Sequence, residues 1–189
     1  MQFYKSDLLQ YISGSISDTD LLEQLTKLGL EVDQSKKEKN DLLIKLDLTP
    51  NRGDCFSLIG IARDVCAVNN LKLKLPKFKR QEQSFDSKKT VSLDKGACSS
   101  YLGQIIRLKS KGKTPAFIKK TLRAADIGQV NPIVDITNYV MLHTGQPLHA
   151  FDNKKIGKKI YVKFPSKRTK LKLLDGASHE ITKDFLTIS

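Results

Sequence analysis

Apolar positions recur along this chain with two periods, and the switches between them predict its elements. Leu21, Leu22, Leu25 and Leu28 repeat at helical spacing behind the capping candidates Ser17-Asp18-Thr19-Asp20, and Gly29 closes the run. Leu42, Ile44, Leu46 and Leu48 alternate with polar neighbours, the pattern of a half-buried strand. Between them the stretch 34–40, QSKKEKN, follows neither period and reads as a polar connector. The segment from Thr49 to Asp54 is a turn by composition, and Asp54 is placed to cap a helix whose buried stripe is Leu58, Ile61, Ala62 and Val65. Leu71, Leu73 and Leu75 alternate with lysines as an edge strand does, and Pro76 ends it.

Periodicity is lost over KFKRQEQSFDSKK, residues 77–89, and a linker is expected at 79–89. Beyond it Val91 and Leu93 alternate as a strand. Thr114-Pro115 is expected to cap a helix with Phe117, Ile118, Thr121, Leu122 and Ala125 inward. Lys119, Lys120 and Arg123 then face outward, where they could meet phosphates or form an ordinary solvated face. Asn131-Pro132 opens the next helix, since proline supplies a helical φ where its missing N–H is not needed, and Gly145 reads as the left-handed stop. Ile133, Ile136, Val140 and His143 form its predicted apolar face, with Thr137 and Asn138 turned elsewhere. Gln146-Pro147-Leu148 must then reverse the chain, and the expectation is that Asn138 and His149 lie on two sides of one pocket. A strand over Lys159–Phe164, a hairpin about Asp175-Gly176 and a strand near the last residues complete the reading. The fold class is α+β: a small helix-and-strand domain over 1–78, with two halves joined at 33–41, the linker at 79–89, and a mixed α/β domain over 90–189.

Charge changes the picture more than composition does. Over 189 residues, 33 Lys+Arg face 20 Asp+Glu, a formal net charge of +13, and such a chain attracts polyanions, nucleic acid first and an anionic membrane second. No apolar run is long enough to cross a bilayer, and the first residues lack the uninterrupted apolar core of a signal peptide, so the expected compartment is the cytoplasm. Cys55, Cys66 and Cys98 form no C-x-x-C pair and read as reduced thiols rather than zinc ligands.

Candidate chemistry is narrow. The sequence holds no glycine-rich phosphate loop, no G-x-S-x-G elbow and no H-E-x-x-H. Of its three histidines, His143 sits late in a helix, where it could complement the negative end, and His179 follows a hairpin turn. His149 alone lies in a dense polar setting.

The motif VDITNYVMLHTGQPLHAFD, with LTPNRGDC, GIARDV and Leu174-Asp175-Gly176, resembles the signatures of the bacterial phenylalanyl-tRNA synthetase beta subunit, in the same order. That resemblance implies a role in tRNA(Phe) aminoacylation with hydrolytic editing of tyrosyl-tRNA(Phe), and the catalytic alpha subunit and tRNA(Phe) as partners. It places His149 and Asn138 on the family's editing-pocket histidine and asparagine, with Thr137, Gln146 and Pro147 as substrate-binding positions and Lys119, Lys120 and Arg123 as tRNA-binding candidates. It implies ATP and magnesium for a complete synthetase, with no cofactor or metal site in these residues.

Three departures qualify the resemblance. Most bacterial members insert an oligonucleotide-fold tRNA-binding module between the equivalents of Val32 and Asp41, where this chain has a handful of residues. Gly128 stands where many relatives carry arginine. The groups that recognise the tyrosine hydroxyl lie past the equivalent of Ser189, so the expected editing site is incomplete. The alternative is a non-catalytic basic RNA-binding or subunit-assembly module.

Overall fold

A computed structural model of the chain describes residues 1–78, 90–110, 112–172 and 176–189. The expected linker and the centre of the Asp175-Gly176 turn lie outside the described residues. The fold is a mixture of helices and small sheets, α+β as the pattern predicts. Its elements are β1 (Gln2–Tyr4), α1 (Lys5–Leu9), β2 (Ile12–Ser13), α2 (Asp18–Lys27), β3 (Glu31–Glu38), β4 (Asp41–Asp47), α3 (Leu58–Val68), β5 (Lys72–Leu73) and β6 (Thr90–Leu93). They continue with α4 (Ala116–Ala124), α5 (Pro132–Thr144), β7 (Lys159–Lys163), β8 (Thr169–Lys172), β9 (Ser178–Ile181) and β10 (Thr187–Ile188).

The chain divides into two compact units, Met1–Lys79 with Ser110–Ala150, and Arg80–Lys109 with Phe151–Ser189. Helices α4 and α5, which the sequence pattern grouped with residues 90–189, therefore pack in the first unit.

In that unit, β4 is the central strand of the sheet β1-β4-β3, and Leu42, Ile44 and Leu46 point into a core with Phe3, Leu8, Leu25, Leu58 and Ile61. Ser17 caps α2 by accepting from the Asp20 N–H at 3.0 Å, and Gly29 follows with φ +75, both as predicted. The stretch 34–40 is a correction: it is no connector but most of β3 and its turn onto β4, at Lys39 and Asn40. Its side chains are almost all exposed, so no apolar alternation marks it, and backbone pairing to β4 holds it.

The helix-cap expectations divide. Ser57, not Asp54, caps α3, accepting from the Gly60 N–H at 3.1 Å, because Asp54 lies in a 3-10 turn, Gly53–Cys55, before the helix begins. Gly60 is required there, since a Cβ would stand 1.8 Å from the Asp54 carbonyl oxygen. Asn131 caps α5 as predicted, accepting from the N–H groups of Ile133 and Val134, and Gly145 ends it at φ +76. Thr114 does not cap α4; Pro115 occupies that position without a side-chain bond, and Thr114 turns to Asp135.

The second unit holds the sheet β10-β7-β6, with β6 and β7 parallel, and the antiparallel hairpin β8–β9. The strands expected near Val91, Lys159 and Thr187 and the arms of the hairpin are all present.

Candidate functional site

Helix α5 and the loop after it carry the residues singled out from sequence, and polar contacts rather than apolar ones set the helix's orientation. Asp135 is 2% exposed and accepts from Thr114 Oγ1 and from the Val130 N–H at 2.9 Å, which fixes the approach to the helix. His143, also 2% exposed, lies two turns further on with Nδ1 2.5 Å from Tyr11 Oη. The predicted apolar face is therefore corrected in part: His143 is buried as that face requires, but Ile133 and Ile136 are exposed and Asp135 is buried in their place. A buried carboxylate and a buried imidazole each need a partner, and those partners lie on one side of the helix.

His143 is a further correction. Burial pushes its pKa down to about 4, so it is neutral and contributes no cation to the helix end. Tyr11 is pushed up to about 12, first by burial and then by the charges of Tyr139 and Asp7. Both groups are thus neutral at pH 7. With the proton on Nε2, Tyr11 O–H donates to Nδ1, and Nε2 is buried without a partner among the described residues. Tyr139, one turn earlier, stacks on the imidazole at 4.0 Å between centroids and meets Phe117 edge-on at 5.6 Å. A tyrosine more than a hundred residues away is invisible to helical periodicity, which is why the pair was missed.

Asn138 is half-buried on α5, and His149 is exposed in the loop that follows. No hydrogen bond joins them among the described residues. Thr137 Oγ1 donates to the Val134 carbonyl at 2.7 Å, the Gln146 N–H donates to Thr144 Oγ1 at 3.2 Å, and Gln146 and Pro147 are exposed. Of the five predicted positions, Thr137 and Asn138 are half-buried on the helix, and Gln146, Pro147 and His149 are exposed in the loop after it.

The basic candidates on α4 are not equivalent. Lys120 bonds Asp41 at 2.6 Å and Ser6 Oγ at 3.1 Å and lies 4.6 Å from the Tyr4 ring centroid, so it is a tether within the unit. Lys119 is half-buried and Arg123 is exposed. Beside Lys120, Thr121 Oγ1 donates to Asp7 at 2.9 Å. Burial raises the Asp7 carboxyl, and that hydrogen bond and the Lys120 charge oppose the rise.

Arg52 holds the turn that the composition of Thr49 to Asp54 predicts. Its guanidinium meets Asp54 at 3.2 Å, the Leu28 carbonyl at 3.3 Å and Asp64 in a shorter contact. Hydrogen bonding to Arg52 lowers the Asp54 pKa to about 2 despite some desolvation. Asp54, Cys55 and Asp64 lie close enough together to suggest a metal site, but the guanidinium already supplies their positive charge. Burial raises the Cys55 pKa to about 11, so it offers no thiolate either. These residues do not fit a magnesium ion.

Residues 97–189 match the B3/4 domain family. The phenylalanine-tRNA ligase beta subunit of Rhodopirellula baltica is 36% identical over 186 residues, 96% of this chain and 27% of that protein. The beta subunit of Pseudomonas fluorescens is 43% identical over 152 residues, 79% of this chain and 19% of that protein. The crystal structure of an N-terminal fragment of the phenylalanyl-tRNA synthetase beta subunit from Pyrococcus horikoshii is 21% identical, with a TM-score of 0.45, covering 97% of this chain and 50% of that one. The chain spans about a fifth to a quarter of the length of these curated relatives. It is similar over residues 97–189 to the B3/4 domain family, and along nearly its whole length to the phenylalanine-tRNA ligase beta subunit.

Proposed function

We propose that this chain is the N-terminal part of a phenylalanine-tRNA ligase beta subunit, serving tRNA(Phe) aminoacylation beside a catalytic alpha subunit and contributing to hydrolysis of mischarged tyrosyl-tRNA(Phe). The observation that carries the reading is the 36% identity to such a subunit over 96% of the chain. Editing of this kind answers a physical limit: a binding pocket rejects a near-isosteric amino acid imperfectly, so a second site must discard the product. Asn138, fixed on a helix capped at both ends, is the rigid member of the proposed pocket. Its amide holds the aminoacyl group or the attacking water, while the His149 imidazole orients that water or the terminal ribose. Thr137, Gln146 and Pro147 line the substrate, and Lys119 and Arg123 meet the tRNA backbone. Among the described residues no helix is long and apolar enough to cross a membrane.

A second reading, a basic RNA-binding or assembly module without catalysis, is favoured by one observation: His149 is exposed and makes no hydrogen bond to Asn138. Deacylation of tyrosyl-tRNA(Phe) by the chain, measured beside His149→Ala, separates the two. The editing reading expects turnover that the variant loses. No turnover in either chain with tRNA still bound replaces it with the second reading, and turnover equal in both removes His149 from the proposed pocket.

A further inference from the structure

The outer face of the β6–β7–β10 sheet combines charge and an aromatic ring in a way the site above does not use. Side chains on a strand alternate, so Lys159, Tyr161 and Lys163 of β7 share one face while Ile160 and Val162 share the other. Val162 is 1% exposed and Tyr161 is 41% exposed, which identifies the outer side. The register adds Thr90 and Ser92, paired with Lys159 and Tyr161, and Thr187, paired with Lys163. At about 3.3 Å of rise per residue, the backbone positions of Lys159 and Lys163 stand roughly 13 Å apart with Tyr161 between them. Lys163 Nζ lies 5.1 Å from the Tyr161 ring centroid, so cation and ring occupy the same side.

Along β7 and the residues that flank it in sequence the charge has one sign. From Lys154 to Lys172 the sequence carries lysines and one arginine and no carboxylate. Arg168 pairs with Glu180 at 3.8 Å, which leaves Lys159 and Lys163 without an ion pair among the described residues. Asp94, the residue after β6, accepts from the Phe164 N–H at 3.3 Å and so has its own partner.

We propose that this sheet face binds single-stranded RNA, with a base stacked on Tyr161 and the flanking phosphates on Lys159 and Lys163. A π-face between two cations suits a strand whose bases are unpaired, because every base offers a stacking surface and each phosphate a charge. A duplex hides its bases, and a lipid surface offers nothing for the ring to stack on. The hydroxyls of Thr90 and Ser92 favour RNA over DNA, since they can exchange hydrogen bonds with a ribose 2′-OH. The surface lies on the second unit and does not depend on His149 or Asn138.

The test is fluorescence anisotropy of a labelled oligouridylate of about twelve nucleotides, within the usual site sizes, titrated with the full chain at low salt. Tyr161→Ala is expected to weaken binding about tenfold, and Tyr161→Phe to restore it. The double variant Lys159→Ser/Lys163→Ser is expected to lower the slope of log affinity against log salt by about 1.4, the loss of two single-strand phosphate contacts. Lys27→Ser, on α2, is the control expected to change nothing. Circular dichroism shows whether each variant is folded, and the lysine pair carries the test if Tyr161→Ala is not. The proposal is overturned by absence of binding, by wild-type affinity in Tyr161→Ala and the lysine double variant alike, by equal affinity for duplex RNA, or by preference for phosphatidylserine vesicles. The oligonucleotide carries no aminoacyl ester, so failure here and failure of the editing reading are read separately.

Discussion

The first unit closes over Phe3, Leu8, Leu25, Ile44, Leu58 and Ile61, each at most 1% exposed, while the second leaves Leu102 at 93% and Ile106 at 70%. Among the described residues of the second unit only Val162 and Ile181 are buried. Apolar content alone does not make a core; helices must stand over a sheet so that one face of each is removed from water. The first unit has five helices to cover its strands, and the second has none among the described residues. Its strands are held by backbone ladders, which leaves both apolar side chains and a row of cations at the surface, the composition of a region that meets a partner.

The sharpest way to break this contrast is a matched truncation. Ile61→Ala should cost about 4 kcal/mol in urea denaturation, as deletion of a buried side chain leaves a cavity. Leu171→Ala, on the exposed hairpin, should stay within about 0.5 kcal/mol. Similar losses in both would mean that the second unit has a core after all.

Acid sharpens it next. His143 takes up a proton near pH 6.5 when unfolded and only near 4 when folded, so the unfolded state binds more protons across that window and stability falls as pH drops. The shift corresponds to about 3 kcal/mol between pH 6.5 and 4. Asp7, whose carboxyl is raised by burial, works in the opposite sense and partly offsets this loss. Denaturation midpoints against pH should therefore flatten over that window in His143→Phe, and an unchanged profile would show that the buried imidazole does not control it.

A smaller effect comes from paired glycines. Gly60→Ala must displace the Asp54 carbonyl and should cost about 2 kcal/mol, whereas at Gly103 the added methyl would meet only Val91 at 3.5 Å and should be nearly neutral. Thermal melts of the two variants measure the difference. Least of all, Arg52→Lys keeps the charge but loses the fork that spans Asp54 and Asp64, and about 1 kcal/mol of stability should go with it. Hydrogen exchange at the turn and at the start of α3 reports whether that loss is local.

What was legible in the sequence was what depends on near neighbours. The ends of α2 and α5 could be read because Ser17 and Asn131 bond amides two or three residues away. Strand β4 could be read because one of its faces is dry. The family motif named the positions of the candidate site, but the placement of His149 in solvent could not be read from it.

By itself, then, the sequence determined the caps of α2 and α5, the alternation of β4, and the chemistry available at each position, since each is a property of a few consecutive residues. Tertiary structure decided that the polar stretch 34–40 is a strand, that α4 and α5 belong with the first unit, and that α5 buries Asp135 and His143 rather than its isoleucines. Those outcomes depend on partners far along the chain: β4 for the strand, Asp7 and Asp41 for α4, and Thr114 and Tyr11 for α5. A polar side chain that finds such a partner can be buried where an apolar one is left outside, because an unpaired buried polar group costs more than an exposed isoleucine.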